Sequence, residues 1–383
     1  MKKKIIIFTS SGGNGHISAT KALQSYLSDE YEIVPVYIFE EVFKGIDPVA
    51  FLTFGRINGE DVYNFFLRRR WYSILNGIYN LGNWYFGTRK DFMIKIANAY
   101  LTEQKPDLII SVIPVVNDVI LETAEHNNIP FLLIPTDFDV TSFVTGINHP
   151  KFPKFFANIA SNDPLVKATI APANIPAAQI SVMGLPMRKD FFEPKDKDLL
   201  KKQFAVCQGK PVIVLMMGGQ GNNAILTFAK QVADLPIPAH VIICIGRNSE
   251  IKETIKKINF EPHISVTILG FTERISDLLA MADLLITKSG SVSFAEGITM
   301  NVPMILDATA TLLYWERLNH TLLTAHDWGI SLKKVGELNQ AILTILEDPA
   351  NYEKIKHNLE TFHKNRLDLE IRPIVEELIK NYS

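Results

Sequence analysis

The stretch KIIIFTSSGGNGH, residues 4–16, sets the reading of the chain. Lys4–Thr9 is a short apolar run that stops at Ser10-Ser11-Gly12-Gly13-Asn14-Gly15. Behind the loop Ala19, Ala22, Leu23, Tyr26 and Leu27 recur at helical spacing, and Ile33–Phe39 is a second apolar run. Strand, glycine-rich loop, helix and strand in that order open a parallel sheet. Its strands are covered on both faces and therefore read as continuous apolar runs rather than alternating ones. The basic Met1–Lys4 before Ile5–Phe8 imitates a secretory leader, but the apolar run ends well short of the roughly 7–15 residues such a leader needs.

Leu108–Ile113 and Phe131–Ile134 continue the series of buried strands. The second half repeats it, with strand Val212–Met217, helix Ala224–Ala233 and strands Val241–Ile245 and Val266–Leu269. A helix carrying Ile275, Leu278, Leu279 and Ala282 follows, and Leu284–Thr287 and Pro303–Leu306 close the series. Pro186–Asp198, rich in proline and charge, separates the halves as linkers do. The expectation is an α/β protein of two Rossmann-like, doubly wound domains facing a cleft, over residues 1–190 and 191–383. The charged helical tail Tyr352–Ser383 is expected to pack back on the first domain.

Lys+Arg number 39 and Asp+Glu 41, a net charge of −2, so neither a global polyanion binder nor a nucleic-acid partner is expected, a balance that leaves room for a local basic patch. Cys207 and Cys244 are the only cysteines, which excludes a disulfide framework and any C-x-x-C metal motif and makes the reduced cytosol the default compartment. No apolar run approaches the roughly 18–20 residues of a membrane span. Tyr63–Lys90 breaks the α/β rhythm, interleaving nine aromatics with Arg68, Arg69, Arg70, Arg89 and Lys90. Rings at headgroup depth beside cations that meet anionic lipid suit a membrane surface, and Arg68, Arg69, Arg70 and Trp71 are the expected contacts. The competing reading is a core of aromatics under a solvated basic face.

The loop ending in Gly13, Gly15 and His16 lets backbone approach a ligand closely at a helix N-terminus, where free N–H groups meet an anion. His16 has the near-neutral pKa of a general base. With Glu40 at the end of the second run, the same loop also resembles a dinucleotide fingerprint, although its third small residue is Ser18. Met217-Gly218-Gly219-Gln220-Gly221-Asn222 is a second loop of the phosphate type, again between strand and helix. Two such loops suggest one ligand with a diphosphate and a second reactant. Asp137-Phe138-Asp139 has the form of a metal-binding triplet, but it follows a strand of the first half, where a carboxylate orienting His16 or an acceptor is the better reading.

The run ILGFTERISDLLAMADLLITKSGSVSFAEGITMNVPMIL, residues 268–306, resembles the nucleotide-sugar site of the diacylglycerol glycosyltransferases. These include monogalactosyldiacylglycerol synthase and the processive diacylglycerol glucosyltransferases. The lipid-linked N-acetylglucosaminyltransferase of peptidoglycan synthesis is a more distant relative. Ser11–His16, Pro135-Thr136-Asp137, Gly184-Leu185-Pro186-Met187-Arg188 and Ile243–Asn248 are similar to further motifs of that family, in the same order, so the resemblance spans about residues 4–345.

The resemblance implies a GT-B fold, an N-terminal acceptor domain and a C-terminal UDP-sugar domain. Carried over, His16 is the catalytic base, supported by Asp137. The backbone at Phe271 reads the uracil, Glu296 binds the ribose hydroxyls, and Ser289-Gly290 lies near the diphosphate. Gly219, Gly221, Arg247, Glu316 and Asn319 complete the donor site. For Glu296 the competing reading is a capping box with Ser293. Leu313-Tyr314-Trp315-Glu316 stands where the family reads Pro-Gly-Gln-Glu, and Gly218-Gly219-Gln220-Gly221 is one residue shorter than its counterpart. The expected activity is inverting, metal-independent transfer of a hexose from a UDP-sugar, a co-substrate rather than a cofactor, to a membrane lipid such as diacylglycerol. The expected place of work is the cytoplasmic membrane face. A different lipid-linked acceptor, a UDP-sugar epimerase and a non-catalytic UDP-sugar-binding membrane protein are the alternatives.

Overall fold

Ile5, Ile6 and Ile7 are fully buried, which a strand at a sheet edge does not allow. β1 (Lys4–Thr9) lies between β2 (Glu32–Tyr37) and β3 (Leu108–Ser111), parallel to both. β4 (Phe131–Leu133), β5 (Phe155–Ile159) and β6 (Ile180–Val182) extend the sheet in the order β2-β1-β3-β4-β5-β6. The computed structural model describes every residue except 1, 13–14, 48, 50–52, 54–55, 57, 220–222, 249 and 383, and describes only the backbone of 68 and 381–382.

This sheet belongs to a unit made of Met1–Phe66, Ile74–Lys189 and Lys364–Ser383. The helix Gly15–Leu27 buries Ala19, Ala22, Leu23, Tyr26 and Leu27, the face its spacing defines. Against that face pack Leu367, Ile371, Val375, Leu378 and Ile379 of the helix Leu367–Tyr382, so the end of the chain closes the core opened by its beginning. At ~1.5–3 kcal/mol per buried aliphatic side chain, the five tail residues contribute on the order of 10 kcal/mol of apolar burial. Gly184 lets the tail in: its φ is +92°, and a Cβ there would stand 2.6 Å from the Asn365 carbonyl oxygen.

The second unit comprises Leu67–Ser73 and Asp190–His363. Its strands are β7 (Val212–Met216), β8 (Ala239–Cys244), β9 (Ile264–Leu269), β10 (Leu284–Lys288), β11 (Met304–Asp307) and β12 (Gly329–Leu332). All pair in parallel, in the order β12-β11-β10-β7-β8-β9. Counted from β7 this is the dinucleotide-fold order, with its topological switch between β7 and β10. In the first sheet the switch falls between β1 and β3.

Pro303–Leu306 does not close the series. β12 follows it, short and begun by Gly329, which hides it from an apolar-run reading. β5 is hidden by Asn158, a fully buried polar side chain that donates to the Gly184 carbonyl at 2.8 Å and accepts from the Met183 N–H at 2.8 Å. Glu40 lies not on the second strand but in the helical turn Ile38–Glu41 that follows it.

Candidate active site

In an open parallel sheet, ligands bind beyond the carboxyl ends of the strands at the switch point. The sequence-derived loops sit there in both units. In the first, the loop after β1 ends in the helix Gly15–Leu27, which puts His16 in its first turn. The chain beyond β3 brings the Val112 carbonyl to 2.8 Å from His16 Nδ1. A carbonyl only accepts, so Nδ1 carries the hydrogen and Nε2 keeps a lone pair. Burial lowers the His16 pKa from 6.5 to about 4, opposed by the Val112 hydrogen bond, so the imidazole is neutral at pH 7.

The Thr136 hydroxyl lies 3.5 Å from the same Nδ1 and donates to Asp137 Oδ2 at 3.0 Å. The imidazole is thus oriented chiefly by a backbone carbonyl, with Thr136 between it and Asp137. Asp139 Oδ1 accepts from the Thr141 N–H at 3.0 Å and shapes its own turn. On the other side of the loop, Ser10 donates to Glu60, and the single hydroxyl hydrogen of Ser11 is shared between Glu60 and Glu40, the latter at 2.8 Å. Burial raises the Glu60 pKa, against the two serine hydrogen bonds. Glu60 carries no sequence signal, because it reaches the loop only through folding, whereas Thr136 lies in the Pro135-Thr136-Asp137 motif. Gly15 starts the helix, and Gly13 lies outside the described residues.

In the second unit β10 runs into Ser289-Gly290 and then the helix Ser291–Thr299. Gly290 is its N-cap and offers no side-chain acceptor, so the positive end of the helix dipole faces the loop that follows β10. A Cβ on Gly290 would meet Lys288 Cε at 2.9 Å, so glycine is what lets the Lys288 side chain cross this terminus. Because the N-cap is Gly290, Ser293 and Glu296 are interior helix residues, which removes the capping-box reading. Glu296 is half-buried.

Lys288 bonds Glu316 at 3.2 Å, and the Glu316 side chain is only 6% exposed. The fully buried Asn319 donates to the Ser289 carbonyl at 2.7 Å and to Ser291 Oγ at 3.2 Å, and so pins the loop at the helix start. Ser289 Oγ bonds the Asp307 carbonyl at 3.0 Å and His320 Nε2 at 2.5 Å, while His320 Nδ1 meets Ser331 Oγ at 2.7 Å. Burial lowers the His320 pKa to about 4. Beside the second loop, the Arg247 N–H donates to the Gly219 carbonyl at 3.1 Å, and its guanidinium stacks 4.6 Å over the Phe271 ring, itself half-exposed. Gly221 lies outside the described residues.

The structure thus gathers Ser289, Gly290, Glu316 and Asn319 into one cluster, and Gly219, Arg247 and Phe271 into another. It adds Lys288, Asp307 and His320, which the sequence reading passed over. Lys288 and Asp307 are the last residues of adjacent strands in register, a position that itself points to a ligand.

Of the four residues expected at a membrane, Arg70 is reassigned. It belongs to the second unit, and its guanidinium bonds Asp307 Oδ2 at 2.6 Å. An arginine held by a buried carboxylate is not a lipid-facing cation. The Arg68 side chain is not among those described; Arg69 and Trp71 are exposed, with the guanidinium 5.7 Å from the ring centroid. The helix Tyr72–Thr88, which belongs to the first unit from Ile74 onward, carries Ile74, Ile78, Leu81 and Trp84, all exposed, on one face at spacings of four, three and three.

Comparison with known proteins agrees with this geometry. Residues 212–311 match the glycosyltransferase family 28 C-terminal domain. The processive diacylglycerol beta-glucosyltransferase of Staphylococcus epidermidis is 27% identical over 307 residues, covering 79% of this chain and 75% of the relative. Among solved structures, the calicheamicin glycosyltransferase CalG4 aligns with a TM-score of 0.65 at 14% identity, over all of both chains. MurG of Acinetobacter baumannii aligns with a TM-score of 0.61 at 14% identity, over 98% of this chain and 100% of that one. The chain has the GT-B fold and is a glycosyltransferase. The resemblance read from the sequence is found again: part of the second unit matches the family 28 C-terminal domain model, and the curated relatives are diacylglycerol glucosyltransferases.

Proposed function

We propose that this protein transfers a hexose from a UDP-sugar to the hydroxyl of a membrane lipid, diacylglycerol in the first instance, with inversion and without a metal ion. The observation that carries the reading is the state of His16. It is a neutral imidazole at a switch-point loop, fixed through Nδ1 and left basic at Nε2. A base of this kind takes the proton of an acceptor hydroxyl as it attacks the anomeric carbon, opposite the departing UDP. The leaving diphosphate carries the developing charge. The positive end of the helix Ser291–Thr299 stabilises it, with no metal ion required.

The names of the curated relatives support the lipid acceptor. The exposed stripe Ile74–Trp84, with Arg69 and Arg89 nearby in sequence, supports docking on an anionic membrane surface. No helix among the described residues is long and apolar enough to cross a membrane.

The test is a product assay with several radiolabelled UDP-sugars and diacylglycerol vesicles, with and without EDTA, followed by assignment of the product anomer. Label in lipid, a β-linkage from an α-linked donor and indifference to EDTA are expected. Label confined to a new sugar nucleotide would replace the reading with an epimerase. Binding without turnover would replace it with a sugar-nucleotide-binding protein.

A further inference from the structure

Arg70 stands in an unusual place. In sequence it falls amid the aromatic segment, yet it packs in the second unit with Leu67–Ser73. Its φ is +59°, a left-handed conformation that favours glycine or asparagine, and its N–H closes on the Leu67 carbonyl at 3.2 Å. One terminal nitrogen bonds Asp307 Oδ2 at 2.6 Å and Thr309 Oγ1 at 3.1 Å. Asp307 Oδ1 in turn accepts from the Thr309 N–H at 2.9 Å and hydroxyl at 2.6 Å. Ser73 Oγ meets Thr311 Oγ1 at 3.2 Å, a second tie between the same two segments.

The outcome is the placing of Tyr72. It is buried, and the charges that act on its phenol are Lys288, Glu316, Arg70 and Asp307. Two cations and two anions sum to zero, so this group has no net attraction for a diphosphate. It alternates donors and acceptors, which is what a neutral polyhydroxylated ring requires when taken out of water. The polar atoms buried without a hydrogen-bond partner in this region include the donor Arg70 Nε and the acceptor Asn319 Oδ1. The diphosphate is served next door by the helix start at Ser291.

We propose that Arg70 is a positioning residue for donor-sugar recognition: its ion pair with Asp307 seats Tyr72 beside Lys288–Glu316, and these side chains together hold the hexose of the donor. This rests on the UDP-sugar reading above and adds to it a specificity element supplied by residues 67–73. The segment that carries the aromatic, basic sequence thereby also forms part of the donor site.

The experiment measures the affinities of UDP, UDP-glucose, UDP-galactose and UDP-N-acetylglucosamine by calorimetry on the full chain. It compares wild type with Arg70→Met, Arg70→Lys and Tyr72→Phe. Wild type is expected to bind one UDP-hexose at least tenfold more tightly than UDP. Arg70→Met should lose most of that advantage and the discrimination among hexoses, with UDP itself changed less than twofold. Arg70→Lys should recover part of it, since one ammonium can hold Asp307. Tyr72→Phe, which keeps the ring packing, should reproduce the loss and decides the matter if Arg70→Met does not fold. A hexose advantage that survives in both Arg70→Met and Tyr72→Phe overturns the proposal. So does an equal loss for UDP, and so does a wild type that binds no UDP-hexose better than UDP. Absence of lipid product from wild type would defeat the transferase reading alone, because the affinities still decide this one.

Discussion

His16 Nδ1 and the Val112 carbonyl oxygen lie 2.8 Å apart, and this one hydrogen bond fixes which nitrogen of the imidazole is basic. Replacement of His16 by Ala should lower kcat by about 10²–10⁴-fold, the range for loss of a general base. The KM for the donor should change little, because the residues proposed to hold the donor belong to the other unit. Steady-state transfer kinetics check this, and a near wild-type kcat would remove His16 from the mechanism.

Acid should act on stability through the same residue and through His320. Both have pKa values lowered by burial from 6.5 to about 4. Between those values the unfolded chain binds protons that the folded one does not, so stability rises with pH across that window. The contribution is fully present above pH 6.5 and is lost as pH falls through about 4, worth at most ~3 kcal/mol for each group. Denaturant titrations at pH 7, 5.5 and 4.5 should show a progressive fall. His320→Asn should flatten it, and an unchanged pH slope in that variant would refute the assignment.

The exposed stripe gives a third prediction. Leu81 and Trp84 are 62% and 67% exposed, so changing both to Ser should leave the Tm within about a degree or two, as surface changes do. The same change should weaken co-sedimentation with anionic vesicles by tenfold or more, since each apolar side chain contributes up to ~2 kcal/mol on insertion. Arg69→Ser should weaken it mainly at low salt. Vesicle binding unaltered by the double change would move the docking surface elsewhere.

Gly184→Ala should destabilise the first unit by several kcal/mol. A methyl group there would run into the Asn365 backbone where φ is +92°, dislodging the segment that leads to the helix Leu367–Tyr382. Limited proteolysis should then release the C-terminal tail. A variant as resistant as wild type would show that the tail is anchored by other contacts. The Gly184-Leu185-Pro186 motif, noticed for its resemblance to a functional segment, thus has a structural role at its glycine.

The sheets were legible in the sequence where strands are buried on both faces, because Ile5–Ile7 or Val212–Leu215 can be nothing else in a protein of this size. β5 and β12 were not, because Asn158 and Gly329 interrupt the apolar signal and are accommodated only by contacts from elsewhere in the chain. His16 could be named because a loop between strand and helix is a local object, readable from neighbouring residues, whereas Ser289, Gly290 and Glu316 were named through the resemblance of their motifs.

What the sequence determined by itself, then, is the α/β architecture, the two loops and the histidine that ends the first of them, all of which depend on periodicity and short-range chemistry. The tertiary structure alone decided the partners: the Val112 carbonyl that sets the tautomer of His16, and the Asp307 carboxylate that takes Arg70 out of the basic surface. In sequence, three consecutive arginines are equivalent charges. They become different residues only when a carboxylate 237 positions away lies within 2.6 Å of one of them, because a buried anion must be paired and the nearest guanidinium pairs with it.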